Sequence, residues 1–119
     1  MYNLLFHKVF TFKGRSSRKE YITKVLLLTV CIITWVYTID LYGNEDSLFS
    51  FLYVTILFVC EIVLFFQYFP LTVRRLHDLN ENGWYVLITF LPFGQLLILW
   101  LMFIKGTPGH NKYGEPPSD

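Results

Sequence analysis

The chain has 119 residues, room for one domain, and it is apolar: 54% of its residues are hydrophobic and 16% are charged, against about 45–50% and about 25% in ordinary soluble proteins. A soluble domain this small needs more polar surface than so few charges supply, because its surface is large relative to its volume. The composition therefore argues against a soluble enzyme and, since disorder requires low hydrophobicity, against a disordered chain.

Residues 1–16 are predicted to form a cytoplasmic segment that lies in the membrane interface. Its apolar side chains recur at helical spacing and lysines accompany them; they are Tyr2, Leu5, Phe6, Val9 and Phe12. Gly14 would end this short helix. Ser17 and Glu20 then match a capping box, which predicts the start of the next helix.

Three stretches with almost no charge follow. Residues 25–39 and 82–104 carry none, and residues 47–73 carry only Glu61. A hydrocarbon core of about 30 Å needs about 20 helical residues, so we expect an all-α, polytopic membrane fold. No cleavage site follows the first apolar run, which argues against a signal peptide. The predicted spans are residues 17–42, 47–73 and 84–104.

The positive charges predict the orientation. The first 24 residues carry six lysines and arginines, the loop at 74–83 carries two, and the acidic loop at 40–46 carries none. Cytoplasmic ends of membrane spans are rich in lysine and arginine. The N-terminus and the loop at 74–83 are therefore expected in the cytoplasm, and the acidic loop outside.

The third predicted span contains Pro92 and Gly94 near its centre, and a proline there kinks a helix. A kinked full span would put the polar tail, residues 105–119, outside, whereas a re-entrant hairpin would return the tail to the cytoplasm. Lys105 and Lys112 favour the inside. A lipid-exposed turn at mid-depth, however, leaves backbone groups unpaired, and for that reason the full span is the favoured alternative.

Glu61 is predicted close to the bilayer midplane, with Gln95 and Thr34 at the same depth. A charge at a helix centre costs roughly 2.5–3.5 kcal/mol, so Glu61 is expected to face protein and to hydrogen-bond Gln95. Its functional interpretation is a proton or cation relay. Its structural interpretation is an interhelical polar contact, which is favoured because no polar path leads away from it.

The second loop carries the densest polar sequence, Arg74-Arg-Leu-His-Asp78. If the helix continues through Leu79, Asp78 lies in pairing range of both Arg74 and Arg75. Two arginines beside His77 would suit a phosphate group through their forked donors. The alternative interpretation is a loop whose charges only set the topology and close an ion pair at the helix end.

Three motifs in order resemble the domain-of-unknown-function 805 family of small bacterial inner-membrane proteins. They are Phe12-Lys-Gly-Arg-Ser-Ser-Arg-Lys-Glu-Tyr21, then Arg74-Arg-Leu-His-Asp78 with Gly83-Trp84 after it, then Gly106-Thr-Pro-Gly-His-Asn-Lys-Tyr-Gly114. The chain departs from the pattern at Ile22, where the family often has tryptophan, and in the spacing of Pro92 and Gly94, which is one residue shorter. The resemblance implies a polytopic helical protein of the bacterial inner membrane and no assigned activity.

The family's signature residues lie at the ends of the predicted spans, and they indicate a candidate binding site. The candidates for binding a ligand or partner are Arg15, Arg18, Glu20, Arg74, Arg75, His77, Asp78, Asn111 and Tyr113. The leading hypothesis is an interaction module whose cytoplasmic cluster binds anionic lipid headgroups or a partner protein.

Two alternatives to the interaction module stay open. One is a small oligomeric transporter or channel that uses Glu61 and Gln95. The other is an enzyme acting on lipid phosphate, with His77 as acid or base, although the sequence shows no nucleophile or metal-ligand cluster beside it. No metal or cofactor is expected from two cysteines without ligand spacing, and the basic N-terminus is explained by topology rather than by nucleic-acid binding.

Overall fold

The computed structural model describes residues 10–117. In chain order its elements are helix α1 (Arg18–Tyr42), helix α2 (Leu48–Asp78), a 3₁₀ helix (Gly83–Phe90) and helix α3 (Gln95–Phe103). Within the described residues there is no β-strand, and an isolated bridge between Asn111 and Gly114 closes a turn in the tail. The predicted all-helical class is confirmed.

The start of α1 follows the predicted capping pattern. Ser17 is the N-cap, and its Oγ accepts a hydrogen bond from the backbone N–H of Glu20 at 3.0 Å. The predicted N-terminal helix falls largely on residues 1–9, which lie outside the described residues, and it does not extend into residues 10–17. Gly14 has a φ of 89°, a left-handed conformation that glycine adopts without steric cost.

α1 and α2 form an antiparallel hairpin. They are 25 and 31 residues long, or about 37 and about 46 Å, and both are long and apolar enough to cross a membrane. Their large apolar side chains are exposed over most of their length. Such exposure suits helices in contact with lipid and is not found in the core helix of a soluble protein.

The third predicted span is not a continuous helix, and a full crossing is not confirmed. The 3₁₀ helix lies along α2, where the ring of Phe90 stacks on Phe69 with 5.5 Å between centroids. The chain then turns, and α3 runs back, so that the carbonyls of Leu101 and Ile104 accept hydrogen bonds from Arg75 near the end of α2. Both ends of this segment therefore lie at the same end of the hairpin, as in the re-entrant alternative.

The turn between the 3₁₀ helix and α3 pairs its own backbone groups. Leu91 donates to the carbonyl of Ile88 at 3.0 Å, and Gly94 donates to the carbonyl of Leu91 at 2.9 Å. Phe93 takes a φ of 65°, and a Cβ at Gly94 would overlap the Ile88 carbonyl. The sequence favoured a full span because a turn within the membrane would leave backbone groups unpaired. The hydrogen bonds within this turn largely avoid that cost.

The apolar core sits at one end of the molecule, which we call the polar end because the buried charges lie there too. Its buried apolar residues are Tyr21, Leu71, Val73, Leu76, Val86 and Leu101. They come from α1, α2 and the re-entrant segment, residues 83–104. At the opposite end only α1 and α2 remain, with small buried side chains, Thr38 and Ser50, near their contact.

Candidate functional site

A cluster of charged and hydroxyl side chains is buried at the polar end. We call it the polar cap, and its members, all at most 7% exposed, are Arg15, Ser16, Glu20, Arg74, Arg75 and Asp78. They come from the residues just before α1, the first turn of α1 and the last turns of α2. Charged groups are almost never buried like this unless they are paired.

Asp78 is the acceptor between two buried arginines. Arg15 donates from Nε to Asp78 Oδ1 at 2.9 Å, and Arg75, three residues before Asp78 on the same helix, pairs with Oδ2. The predicted pairing of Asp78 with Arg75 is confirmed. The predicted pairing with Arg74 is wrong, because Arg74 points to α1, which presents Glu20 to it.

Glu20 joins the first turn of α1 to α2. Its Oε1 accepts from Arg74 Nη2 at 3.1 Å and from Lys24 Nζ at 2.9 Å, while Oε2 accepts from Ser16 Oγ at 2.8 Å. Nε of Arg74 is buried without a hydrogen bond. The carboxylate therefore has partners for both oxygens, and the pair fixes how the two long helices meet.

Arg15 and Arg75 direct their remaining donors at backbone carbonyls. Arg15 Nη1 donates to Gly109 at 2.6 Å, and Arg75 Nε donates to Leu101 at 3.0 Å. Arg75 also donates to the carbonyl of Ile104, which ends the return path of the re-entrant segment. Because these guanidinium groups are occupied by protein acceptors, Arg75 holds the re-entrant segment in place, Arg15 holds the tail, and neither offers a free fork to a phosphate.

The tail closes over the cap at Gly106 and Thr107. Thr107 donates from its backbone N–H and its Oγ to the carbonyl of Asp78, at 2.7 and 2.8 Å. A Cβ at Gly106 would overlap the Asp78 carboxylate. Only a glycine fits there, which gives a physical reason for the first residue of the third motif.

His77 lies at the edge of the cap and takes part in fixing the tail. Its ring stacks on Tyr113 with 3.8 Å between centroids, and Asn111 Nδ2 donates to its carbonyl at 2.9 Å. His77 Nδ1 is 3.1 Å from the carbonyl of Gly14, which only accepts, so Nδ1 carries the proton. Burial lowers the pKa of His77 and the Gly14 carbonyl opposes this by favouring the charged form.

Arg18 differs from the other candidates because it is exposed. It lines an open depression of about 320 Å³, and the other charged residues of that lining are Lys105, Arg15, Arg75 and Asp78. Within residues 10–117 its guanidinium donates one hydrogen bond, from Nη1 to the carbonyl of Phe103 at 3.3 Å. Its guanidinium therefore keeps most of its donors available.

The three polar residues predicted within the membrane do not meet. Thr34 Oγ donates to the carbonyl of Val30 in its own helix at 2.9 Å. Gln95 lies at the turn of the re-entrant segment, beside a cavity of about 410 Å³ that Phe65 also lines. The predicted hydrogen bond between Glu61 and Gln95 is absent, because the turn stops at the level of Phe65, one helical turn from Glu61.

The structure thus brings together eight of the nine predicted site residues and leaves Arg18 at the rim. Sequence reasoning missed Ser16, which pairs with Glu20, and Thr107, which anchors the tail. Both lie inside the motifs, so their place in the motifs was the feature of the sequence that could have identified them as site residues. Among residues 10–117, no three His, Cys, Asp or Glu side chains are grouped to hold a metal.

Known proteins resemble this chain along most of its length. A family model described as "Protein of unknown function (DUF805)" matches residues 9–115. Inner membrane protein YhaI of Escherichia coli K12 is 35% identical over 109 residues, covering 89% of this chain and 85% of the relative. Inner membrane protein YhaH of the same organism is 32% identical over 116 residues, covering 89% and 86%. No solved structure matches.

Proposed function

The chain belongs to the DUF805 family of proteins of unknown function, and from that premise we propose that it is an inner-membrane interaction module that binds the phosphate of anionic lipid headgroups. The observation that carries the proposal is the open depression at the start of α1, where the exposed cations Arg18 and Lys105 face the same space as Asp78, whose charge is already paired with Arg15 and Arg75. The polar cap has the structural role of building that surface.

The proposed topology has α1 and α2 crossing the membrane, residues 83–104 re-entering it, and both the N-terminal segment and the tail in the cytoplasm. Exposed basic side chains at the polar end support it; they are Lys13, Arg18, Lys19, Lys105 and Lys112. The loop at the other end of the hairpin carries Glu45 and Asp46. Reporters fused to the C-terminus, active only inside or only outside, test it: the cytoplasmic reporter is expected to respond, and an outside signal contradicts the topology.

The chemistry of the depression suits a lipid phosphate. Arg18 offers a planar fork of donors, and the ammonium of Lys105 has no hydrogen bond within the described part of the chain. The depression also lies at the N-terminus of the 25-residue helix α1, where the helix dipole favours an anion. Each basic residue near an anionic membrane surface contributes about 1 kcal/mol.

Lipid retention tests the proposal. The full chain is purified from membranes, and native mass spectrometry counts the phosphatidylglycerol, phosphatidylcholine and inorganic phosphate that stay bound. The double variant Arg18→Ala and Lys105→Ala is expected to retain about thirtyfold less phosphatidylglycerol. The matched control is Lys13→Ala with Lys112→Ala, which removes the same charge outside the depression.

The outcomes separate the possible ligands. Retention of phosphatidylglycerol over phosphatidylcholine that depends on Arg18 and Lys105 supports the proposal. Retention of inorganic phosphate but no lipid assigns the depression to a free anion. Equal loss of phosphatidylglycerol in both double variants, or no loss in either, overturns headgroup binding. A co-purifying protein that is lost only from the double variant of Arg18 and Lys105 assigns the surface to a partner protein instead.

A further inference from the structure

The cavity of about 410 Å³ beside Gln95 lies where the re-entrant segment packs against the helix hairpin. Residues of α1, α2, the 3₁₀ helix and α3 line it. Most of the lining is apolar, with Val25, Ile32, Phe65, Phe90 and Ile98 among its residues. These side chains suit a hydrocarbon group.

The polar groups of the lining make few demands on a ligand. Thr29 Oγ donates to a carbonyl of its own helix at 2.9 Å, and Thr89 Oγ donates within the 3₁₀ helix at 2.7 Å. The hydroxyl of Tyr68 is buried, so its ring forms the wall. Of the lining residues, Gln95 alone presents an exposed polar group with no hydrogen bond to the described part of the chain. A hydrocarbon chain therefore fills most of the cavity without burying an unpaired polar group.

One face of α1 leads from the depression, where we place the lipid phosphate, to this cavity. Residues three, four or seven apart in sequence share a face of a helix. Such a set in α1 is Arg18, Ile22, Val25, Thr29 and Ile32. Arg18 lines the depression, and Thr29 lines the cavity.

Helix α3 follows the same face of α1 in the opposite direction. At the depression the carbonyl of Phe103 accepts a hydrogen bond from Arg18, and at the cavity Ile98 is a lining residue together with Thr29. We call the border between α1 and α3 the seam. Tyr21 and Leu101 are fully buried beneath it, so a ligand reaches the cavity along the seam and not through the core.

The length of the seam matches the length of an acyl chain. Thr29 is three helical turns beyond Arg18, or about 16 Å. A hydrocarbon core of about 30 Å contains two layers of acyl chains, so one chain spans about 15 Å. A lipid whose phosphate lies at the depression therefore has the end of a chain at the depth of the cavity.

We propose that the seam and the cavity bind one acyl chain of the phospholipid whose phosphate lies in the depression, and that they select this lipid by chain length. The inference rests on the proposed headgroup site and adds an apolar contact to it. Side chains that line an unfilled space lose van der Waals contacts on that side. A chain that reaches the cavity therefore stabilises the complex more than a chain that ends within the seam.

Competition between two lipids tests the selection. The full chain, purified from membranes, is given equal amounts of dipalmitoyl and dioctanoyl phosphatidylglycerol, and native mass spectrometry counts each bound lipid. The dioctanoyl chains have half as many carbons and end before Thr29. The native protein is expected to retain about fivefold to thirtyfold more of the dipalmitoyl lipid, as about ten additional close atomic contacts would give.

A cavity-filling variant with a matched control tests the place of the chain. Thr29→Phe puts a ring into the cavity and is expected to bring the two lipids to within about twofold of equal retention. Val30→Phe puts the same ring on the next residue, which is exposed on another side of α1, and is expected to keep the native preference. Ile22→Phe, halfway along the seam, is expected to act like Thr29→Phe, so the test does not depend on one variant. Retention of the dioctanoyl lipid shows that each variant is folded.

The outcomes separate this proposal from the headgroup site. Equal retention of the two lipids by the native protein overturns acyl-chain selection, and so does the same loss of preference in Thr29→Phe and Val30→Phe. Retention of the dioctanoyl lipid that still depends on Arg18 and Lys105 then leaves the headgroup site supported. Native levels of both lipids in the double variant of Arg18 and Lys105 overturn the headgroup site and, with it, the anchor of the chain.

Discussion

The two ends of the helix hairpin differ in what they bury: the polar end buries paired charges, and the opposite end buries very little. At the polar end, three segments that are distant in sequence bury arginines and carboxylates that neutralise one another, such as Arg15 with Asp78 and Arg74 with Glu20. At the opposite end, two helices alone expose apolar side chains and bury little more than Thr38 and Ser50. The fold is therefore specified mainly at the polar end, and the opposite end is left to its surroundings.

The comparison also distinguishes residues that stabilise the fold from residues that are able to bind a ligand. A buried ion pair is a poor ligand site because its donors already have acceptors, and breaking it is far more costly than leaving it intact. Residues at the rim of the cap, Arg18 above all, have donors to offer. Of the charged residues in the motifs, only the few that the fold leaves exposed have donors available for a ligand.

The largest expected effect comes from Asp78→Asn. It leaves Arg15 and Arg75 buried without their anion, so the free energy of unfolding is expected to fall by about 3–5 kcal/mol. Reversible unfolding in detergent measures it. Asp46→Asn makes the same chemical change at the exposed opposite end and is expected to stay within about 0.5 kcal/mol. Equal effects would remove the contrast between the two ends.

Two substitutions in the re-entrant turn are expected to change the free energy of unfolding by intermediate amounts and in opposite directions. Gly94→Ala places a methyl group against the Ile88 carbonyl and is expected to lower the free energy of unfolding by about 1–3 kcal/mol. Phe93→Gly frees a backbone held at a φ of 65° and is expected to raise it by up to about 1 kcal/mol, because relief of the left-handed conformation, about 1–2 kcal/mol, exceeds the entropic cost of glycine, about 0.5–1 kcal/mol. Thermal unfolding of the two variants checks the order, and a loss in both would mean that the Phe93 side chain matters more than its backbone.

The smallest effect concerns the pH dependence of the tail contact. Because burial lowers the pKa of His77 in the folded chain, the unfolded chain binds more protons as the pH falls through about 6.5. Stability from this contact is therefore present above that pH and is lost below it. The unfolding midpoint of the native chain is expected to drop more than that of His77→Gln between pH 7.5 and pH 5.5, and parallel curves would contradict this.

The sequence predicted the helices well and their partners less well. The uncharged runs and the Ser17 cap locate α1 and α2 because membrane thickness and capping act locally. For the third segment the sequence left a full span and a re-entrant hairpin open and favoured the full span, which is not confirmed; pairing of backbone groups within the turn, seen at Leu91 and Gly94, depends on a three-dimensional arrangement. Local charge rules likewise assigned both arginines to Asp78 and could not see that Glu20 faces Arg74 across the hairpin.

Most of the candidate cluster was found from the motifs, but the sequence left its role open. The two interpretations of the arginines beside His77 were a phosphate site and a loop whose charges set the topology and close an ion pair at the helix end. Whether an arginine points to solvent or into the protein depends on residues far along the chain. Here the backbone carbonyl of Leu101 in the re-entrant segment accepts from Arg75, and that of Gly109 in the tail accepts from Arg15. Burial is a property of the assembled fold, so it distinguishes Arg18 from Arg15 where composition does not.

The long reach of Arg15 has a consequence for how the protein is made. Its hydrogen bond to the carbonyl of Gly114 spans 99 residues, and ribosomes add about 5–20 residues each second. Arg15 therefore waits roughly 5–20 s for its last acceptors, while both long helices are already being inserted. A nascent chain stopped before Gly106 already has the carboxylate of Asp78 for Arg15, but the Nη1 and Nη2 donors of Arg15 still lack the tail carbonyls of Thr107, Gly109 and Gly114 that they bind in the finished chain.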